Sequence, residues 1–595
     1  MTSTDITADD VVWDLEPLLP RPGEEGLDDL LGAADAKADE LAQQRGKVAQ
    51  FDADQLENFM RTLAEIHDLV GRAGSYAGLD FAADTTDAAR GARMQMVEER
   101  STAISTKLLF FELEWAELPD DAVEALLADD RLASARHYLR SARRYRPHLL
   151  SEPEEVILNE KAVTGRNAWQ RLFEEQVSTV SVDLDGEGTT LEAALARLHA
   201  PDRDVRRTAA EAVTSALQPG LRTRAFVLNT LMADKSTDDR LRHFDTWIAS
   251  RNLSNEASDE SVAALLDAVQ RRYEIPQRWY ALKAQLLGFD RLADYDRMAS
   301  IGETESTVGW GEARDLVLDA YGSFSDELAT TAQLFFEGWI DAPARPGKRP
   351  GAFCAYTVPS HHPYVLLNWT ARRRDILTLA HELGHGLHAY LARGQGVYHQ
   401  TTPLTLAETA SVFGETVTFG RLLGKVTDPN ERLTLLAANL EDQIATVFRQ
   451  TAMNRFEDAI HNARRTEGEL SVERIGTAWE QTQTAMLGDA VEITEGYKTW
   501  WSYIPHFIGT PGYVYAYAYG QLLALSVYAQ YEERGADFVP QYLELLRAGG
   551  SMAPEELGRI VDVDLTDPTF WDRGLDIIER RLESTIDAAK AADRL

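Results

Sequence analysis

The chain has 595 residues, which is too long for one compact core, so we expect two or more lobes. A formal net charge of −36 argues against nucleic acid binding, which needs basic surface. No run of about 18 or more apolar residues occurs, so no membrane span is predicted. The single cysteine, Cys354, and an N-terminus without a secretory signal favour the cytoplasm.

The N-terminal part of the chain is predicted to be a leader followed by helices. Residues 1–20 are acidic, and Trp13, Leu15 and Leu18 are its candidate anchors. Beyond the leader, apolar residues recur at three- and four-residue steps between charged residues, as on amphipathic helices. We therefore predict an acidic leader over residues 1–20 and an N-terminal helical domain over residues 21–200.

A short stretch inside this domain has strand character. Residues 177–184 are rich in β-branched side chains, Asp185-Gly186 offers a tight turn, and residues 189–191 can begin the return strand. The pattern predicts a small hairpin near residues 177–191. Helical periodicity then resumes, and we assign residues 201–595 to a catalytic domain.

Two predicted strands lie directly before the main motif. Residues 342–351 are rich in proline and glycine and predict a loop, which the strands Ala352–Val358 and Tyr364–Trp369 follow. A helix is predicted to begin near Ala371. An edge strand beside a metal can bind an extended peptide by strand addition, although a purely structural hairpin fits this sequence equally well.

The motif itself is a zinc-peptidase signature, His381-Glu382-x-x-His385, within a helical pattern that ends near Gly394. Residues four apart share one face of a helix, so both imidazoles can reach one metal ion. Glu382 would then lie beside a metal-bound water, whose proton a carboxylate can accept.

A third ligand is needed, because a catalytic zinc keeps three protein ligands and one open position. His388 is one candidate, but Glu408 on a following helical segment is the better one. Leu391 occupies the place where the longer metzincin motif has its third histidine. Glu415, seven residues beyond Glu408, falls near the same helix face. It is either an ordinary glutamate or an acceptor that orients a ligand histidine.

A second cluster lies far downstream. Residues 497–519 contain nine aromatic residues and a single histidine, His506. Tyr513 and Tyr517 are predicted to share one helix face, and we expect two of the four tyrosines of this helix to be core. Tyrosine hydroxyls and a histidine on a glycine-containing loop can donate to the oxyanion that forms when an amide is attacked.

These motifs resemble the oligoendopeptidase F and thimet oligopeptidase family of zinc peptidases, with the oligoendopeptidase F branch nearer. The resemblance covers roughly residues 200–590, and its motifs are His381–His388, Leu406–Ser411, His506 with Pro511–Tyr515, and Gly351–Cys354 with His362–Asn368. It implies a mainly α, two-lobed, zincin-type fold with a deep central channel and a small β-sheet beside the active site.

The resemblance also implies roles for individual residues. One Zn²⁺ ion would be held by His381, His385 and Glu408, and Glu382 would be the general base. His506 and Tyr513, together with Tyr517, would belong to a substrate-binding loop. The sequence departs from the family's pattern at Gly512 and at Arg372–Arg374. None of these residues is an implied zinc ligand.

We therefore predict a zinc-dependent endopeptidase that cleaves internal bonds of short peptides, with Glu382 activating a zinc-bound water. The alternative is a zinc carboxypeptidase or dipeptidyl carboxypeptidase, which needs a cationic group for the substrate carboxylate. A non-catalytic peptide-binding protein is less compatible, because all four catalytic and ligand residues are present. Short peptides are the expected partners, with no nucleic acid and no membrane; the sequence does not predict the oligomeric state.

Overall fold

The structure is a computed structural model that describes residues 7–184, 186–302 and 307–595. Helices dominate it. In chain order the α-helices are α1 (Glu24–Ala42), α2 (Ala53–Ala83), α3 (Ala88–Glu117), α4 (Asp120–Leu127), α5 (Arg136–Arg143), α6 (Glu152–Thr164), α7 (Arg166–Ser178), α8 (Leu191–Ala196), α9 (Arg203–Leu217), α10 (Leu221–Leu241), α11 (Ala249–Ser254), α12 (Asp259–Arg271), α13 (Glu274–Leu286), α14 (Trp310–Phe324), α15 (Asp326–Phe335), α16 (Arg373–Ala392), α17 (Leu404–Ala407), α18 (Thr409–Lys425), α19 (Pro429–Ile444), α20 (Gln450–Glu467), α21 (Val472–Leu487), α22 (His506–Gly509), α23 (Tyr515–Arg534), α24 (Val539–Ala548), α25 (Pro554–Ile560) and α26 (Pro568–Ala591).

The β-structure is confined to small sheets. The strands are β1 (Ser181–Leu184), β2 (Glu187–Thr190), β3 (Leu292–Ala293), β4 (Ile340–Pro343), β5 (Phe353–Ala355), β6 (Tyr364–Trp369) and β7 (Val491–Glu492). β1 pairs antiparallel with β2, and β3 pairs parallel with β7. The third sheet has the order β4-β6-β5, with β4 parallel and β5 antiparallel to β6. The prediction of a mainly helical fold with a small sheet is confirmed.

The predicted hairpin is present but begins later than expected. Its first strand, β1, begins only at Ser181, whereas Val177 and Ser178 still belong to α7. Val177 is therefore helical, because it continues a helix that packs through Phe173, whereas Thr179 and Val180 lie between α7 and β1. Asp185, the first residue of the predicted turn, lies outside the described residues.

The loop predicted over residues 342–351 also begins later, because Ile340–Pro343 forms strand β4. The partner of β4 is β6, which lies more than twenty residues away in sequence, so local turn signals do not reveal the pairing. All four β4 residues are buried. Pro343 is tolerated because β4 is an edge strand of this sheet and its register with β6 shifts between Asp341 and Pro343.

The described chain folds into two compact units, each assembled from three segments. The first unit comprises Met1–Arg146, Ser306–Gly424 and Val527–Asp564. The second comprises Pro147–Glu305, Lys425–Ser526 and Leu565–Leu595. The domain boundaries expected from the sequence, at residues 20 and 200, remain a proposal about how the chain is organised.

The core of the first unit joins the N-terminal helices to the sheet. Buried leucines of α1 and aromatic residues of α2 and α3 pack in one cluster with Tyr364 and Leu366 of β6. Trp13 is buried and meets the Tyr364 ring edge-on at 6.1 Å between centroids, and Leu18 is fully buried. The leader residues are thus anchored in this core, as their apolar character predicted.

The core of the second unit is built from α9, α10, α20 and α21, with Trp500, Trp501 and Phe507 packed against them. Arg206 and Asp296 form an ion pair, 2.9 Å apart, with both side chains inaccessible to solvent. Within the described residues, no helix is long and apolar enough to cross a membrane.

Candidate functional site

Helix α16 carries the zinc-peptidase motif and is held in the first unit by its apolar face. Leu379, Leu383 and Leu387 are buried at helical spacing. His381 and His385 lie one turn apart on the other face, with ring centroids 5.0 Å apart. The predicted helix and the shared orientation of its two histidines are confirmed.

Glu408 brings a carboxylate to these two imidazoles. It lies at a one-residue break between α17 and α18, within the segment that was predicted to be helical. Its Oε2 atom is 3.3 Å from Nε2 of His381 and 3.5 Å from Nε2 of His385. One ligand atom from each of the three residues lies within 4.8 Å of the other two.

The close approach of α16 and the Glu408 segment depends on Gly384. A Cβ atom at this position would lie 2.5 Å from the carbonyl oxygen of Ala410 and 2.5 Å from Cα of Ser411. Such distances are far below van der Waals contact, so only glycine lets the backbones meet here. Tyr321 reinforces the arrangement from α14, because its hydroxyl donates to the Ala380 carbonyl over 2.8 Å.

Further groups orient the three candidate ligands. Nδ1 of His381 lies 3.2 Å from Oε2 of Glu415, and the Ala407 backbone lies near His385 and favours its protonated form. The Ser411 hydroxyl donates to Oε2 of Glu408 over 2.6 Å. Partners of this kind fix the ring orientation of ligand histidines. The geometry supports the orienting role that the sequence allowed for Glu415.

The electrostatics of the three groups favour positive charge between them. Burial opposes the charged forms of both His381 and Glu408. Their mutual hydrogen bond, the hydrogen bonds of His381 with Glu415 and of Glu408 with Ser411, and the neighbouring charges together outweigh this cost. They raise the pKa of His381 to about 10 and lower that of Glu408 to about 2. The burial of His385 lowers its pKa to about 4, so its imidazole is neutral and able to act as a ligand.

The donor set fits zinc. Bonds of about 2.0–2.1 Å in a tetrahedral arrangement place ligand atoms roughly 3.3–3.4 Å apart. The two Nε2–Oε2 separations, 3.3 and 3.5 Å, agree with that spacing. Two imidazoles and one carboxylate also leave a fourth position free, as catalytic zinc sites do. These three residues could therefore hold one Zn²⁺ ion.

Glu382 lies beside the same group and is held by the neighbouring strand. The backbone of Cys354 in β5 lies near its carboxylate and favours the charged form. Burial raises the pKa of Glu382 to about 7, although the charge on His381 acts in the opposite direction. A carboxylate with a pKa near neutral pH is suited to accept and return a proton.

His388, the other sequence candidate for the third ligand, does not join this group. It is 2% exposed, its burial lowers its pKa to about 3, and neither ring nitrogen has a hydrogen-bond partner among the described residues. Its position, three residues after His385, turns it toward the core of the first unit. We expect a packing role for it.

Tyr356 is a neighbour of the site that the sequence did not single out. Its ring centroid is 6.4 Å from that of His385, and burial together with Cys354, Glu408 and Glu382 raises its pKa. The available signal was its place just beyond strand β5, in the stretch predicted to be a strand near the zinc-peptidase helix. The Cys354 backbone contact had no signal, because any residue could supply it.

The predicted tyrosine cluster forms in the second unit. Nε2 of His506 is 3.3 Å from the Tyr517 hydroxyl, and the ring centroids of Tyr513 and Tyr517 are 5.1 Å apart. The prediction that Tyr513 and Tyr517 share one helix face is wrong: Tyr513 precedes α23, which begins only at Tyr515, because Gly512 adopts a φ of +75° and turns the chain there.

The other two tyrosines belong to the core. Tyr515 and Tyr519 are fully buried. The Tyr515 hydroxyl accepts from Asn255 over 3.0 Å, and the Tyr519 ring packs edge-on against Trp571. The prediction that two of the four tyrosines are structural is confirmed.

Comparison with known proteins agrees with these features. The family model "Peptidase family M3" matches residues 322–577, and the model "Oligopeptidase F" matches residues 114–181. Oligopeptidase PepF of Bacillus subtilis is 25% identical over 590 residues, covering 98% of this chain and 87% of its own. The Group B oligopeptidase PepB of Streptococcus agalactiae is 27% identical over 524 residues, covering 85% of this chain and 86% of its own.

Solved structures show the same fold. A Chlamydophila abortus crystal structure aligns with a TM-score of 0.88 and 22% identity, covering 98% of this chain and 99% of its own. The oligoendopeptidase F of Enterococcus faecium aligns with a TM-score of 0.71 and 22% identity, covering 96% and 99%. The zinc-peptidase motif lies within the residues that the M3 model matches. The chain is a member of peptidase family M3, among relatives named oligopeptidase and oligoendopeptidase F.

Proposed function

We propose that this peptidase is a zinc-dependent endopeptidase that hydrolyses internal bonds of short peptides. The observation that carries the proposal is the spacing of Nε2 of His381, Nε2 of His385 and Oε2 of Glu408, with the Glu382 carboxylate beside them. The names of the relatives, oligopeptidase and oligoendopeptidase, support short peptides as the substrate class.

The proposed chemistry divides between a metal ion and the chain. His381, His385 and Glu408 would hold Zn²⁺, whose Lewis acidity polarises a scissile carbonyl and makes water acidic near neutral pH. Glu382 accepts the proton of the attacking water on a carboxylate oxygen and passes it to the leaving amine nitrogen. The Cys354 contact orients the Glu382 carboxylate for both transfers.

Strand β5 provides a place for the peptide backbone. It is an edge of the three-stranded sheet, since β6 is its one strand partner among the described residues. The same strand contacts Glu382 through Cys354. An extended peptide added to this edge would run beside the candidate metal ligands, and strand pairing binds backbone without selecting side chains.

The roles of His506, Tyr513 and Tyr517 follow from the family resemblance. We propose that His506 and Tyr513 donate to the oxyanion or bind the substrate. Their clustering, with Tyr517 within 3.3 Å of His506, supports a common function.

Digestion of a mixed peptide library, with metal content measured on the same sample, tests the proposed function. Cleavage at internal bonds by zinc-containing protein is the expected result. Peptides blocked at both ends separate the alternatives, because an endopeptidase cleaves them and a strict carboxypeptidase does not. Failure to cleave any blocked peptide would exclude the endopeptidase.

A further inference from the structure

Helix α20 places an acidic side chain in the interior of the second unit. Glu457 is fully buried, and its Oε1 atom accepts a hydrogen bond from the Gly512 N–H over 2.8 Å. Its other oxygen, Oε2, is also shielded from solvent and has no hydrogen-bond partner among the described residues. The carboxyl therefore serves the backbone directly before Tyr513.

This carboxyl is costly to bury. Burial raises the pKa of Glu457 to about 8, against the effects of the Gly512 N–H and of the charges on Arg251 and Lys235, so the group is largely protonated at neutral pH. An unpartnered polar oxygen in the interior has lost its hydrogen bonds to water. The stability of the second unit therefore gives little reason for a glutamate at this position, and its contact with Gly512 indicates another role.

Two further residues of α20 help to enclose Gly512. Oδ1 of Asp458 accepts a hydrogen bond from Nε1 of Trp247 over 2.7 Å. The His461 ring stacks on the same indole, with ring centroids 4.5 Å apart. Trp247 in turn walls the glycine, because a Cβ atom on Gly512 would lie 3.4 Å from its Cζ3 atom. One helix thus fixes both the N–H of Gly512 and the wall beside it.

The peptide bond between Pro511 and Gly512 is held at both of its polar atoms. Its carbonyl oxygen, on Pro511, accepts from Nε of Arg251 over 3.3 Å, while its N–H donates to Glu457. A peptide unit is planar, so two bonds on opposite sides fix its orientation. That orientation sets the direction in which the chain continues into Tyr513.

We propose that Glu457 is a positioning residue of the peptidase reaction, which fixes the Tyr513 hydroxyl by holding the Pro511–Gly512 peptide. The inference rests on the proposed function, in which Tyr513 donates to the oxyanion or binds the substrate. A displacement of about 1 Å in a reacting group can slow a reaction about a hundredfold, so one backbone bond next to Tyr513 is enough to matter.

A double-mutant cycle in kcat between Glu457 and Tyr513 tests the proposal. Glu457→Met removes the acceptor and should lower kcat by about tenfold to a hundredfold. In the Tyr513→Phe background the same substitution should lower kcat by less than about twofold, because the hydroxyl that it positions is already gone. General damage to the fold would lower kcat by the same factor in both backgrounds.

Two other variants of Glu457 separate its acceptor atom from its charge. Glu457→Gln keeps an acceptor at the same reach and should recover most of the kcat that Glu457→Met loses. Glu457→Asp keeps the carboxyl but is one methylene shorter, so it should resemble Glu457→Met and can replace it in the cycle if that variant does not fold. Ile460→Val, in the core face of the same helix, is the matched control and should keep wild-type kcat.

Three results would overturn the proposal: an unchanged kcat in Glu457→Met, an equal loss in both backgrounds, or a Glu457→Gln variant as slow as Glu457→Met. An unaffected Tyr513→Phe variant would also overturn it, because the segment would then have no hydroxyl to position. All of these results leave the endopeptidase itself intact. Wild-type protein that cleaves no peptide would instead contradict the proposed function.

Discussion

Single residues decide whether the candidate site can do chemistry, and Glu382 is the one with the proton-transfer role. Glu382→Gln keeps the size of the side chain and an acceptor for the Cys354 backbone, but it removes the base. We expect kcat to fall by at least about a thousandfold, within the range for general bases. Steady-state kinetics and metal analysis of the purified variant check this, with zinc content unchanged.

The matched control is Glu337→Gln, which removes an exposed carboxylate from the same unit. It should retain wild-type kcat and wild-type zinc content. Near-normal turnover in Glu382→Gln would remove Glu382 from the mechanism. A variant without zinc would instead show that the substitution disturbs the ligand set.

Tyr513 is the residue whose role depends most on the family resemblance. If its hydroxyl donates to the oxyanion, Tyr513→Phe should lower kcat by roughly two to three orders of magnitude. Tyr145→Phe, at an exposed tyrosine, serves as the control. An unchanged kcat in Tyr513→Phe would make Tyr513 a packing residue of the His506 cluster.

Glu457 gives a prediction about stability and pH. Burial raises its pKa to about 8 from an ordinary value of 4.5, while the Gly512 N–H and the charges of Arg251 and Lys235 lower it. Between these pH values the folded state holds a proton that the unfolded chain has released. The free energy of unfolding therefore falls as pH rises through this window.

Glu457→Gln cannot ionise, yet it keeps an acceptor for the Gly512 N–H. Relative to wild type, it should gain at least about 1 kcal/mol of stability between pH 5 and pH 8. Melting temperatures of both proteins at the two pH values measure this difference. Glu469→Gln, at an exposed position just beyond α20, should show none. An equal offset at both pH values would mean that Glu457 is ionised throughout.

At the scale of elements, the site depends on how closely α16 meets the Glu408 segment. Gly384→Ala would place a methyl group 2.5 Å from backbone atoms of Ala410 and Ser411 and force the two apart. We expect a loss of roughly 1–3 kcal/mol in stability, as for overpacked cores, together with weaker zinc binding. Chemical denaturation and a competitive metal titration measure the two effects.

Gly420 of α18 provides the control, because a Cβ there meets no atom within 4 Å. Gly420→Ala should be neutral or slightly stabilising, since alanine favours a helix over glycine. If Gly384→Ala binds zinc as tightly as wild type, the close approach is not what positions Glu408.

The elements that the sequence predicted well are those with strong local patterns. The helical spacing around His381 and the apolar run Tyr364–Trp369 both correspond to observed elements, α16 and β6. The break at Glu408 and strand β4 were missed. Both depend on partners distant in the chain, the α16 histidines for Glu408 and β6 for the strand, which local periodicity does not reveal.

The candidate site follows the same rule. The four-residue spacing alone predicted that His381 and His385 share one helix face. The sequence also identified the segment around Glu408 as the source of the third ligand. The contact of the Cys354 backbone with Glu382 and the support of Ala380 by Tyr321 needed coordinates. Backbone donors carry no residue-type signal, and Tyr321 lies 59 residues before its partner.

At the scale of the whole molecule, each compact unit draws on three separate segments of the chain. The first unit combines its N-terminal helices with the segment that carries the candidate zinc ligands, and they share one core through Tyr364 and Leu366. We infer that the N-terminal helices stabilise the strand next to the site. The second unit holds the His506 cluster and the Glu457 carboxyl that binds the Gly512 N–H.

The central claim is that one zinc ion, held by His381, His385 and Glu408, is required for peptide cleavage. The most direct measurement follows cleavage of an end-blocked peptide while zinc is removed by a chelator and then returned in known amounts. We expect activity to disappear with the metal and to be restored in proportion to bound zinc, reaching its maximum at one ion per chain. Cleavage that persists in protein shown to be free of metal would contradict the account.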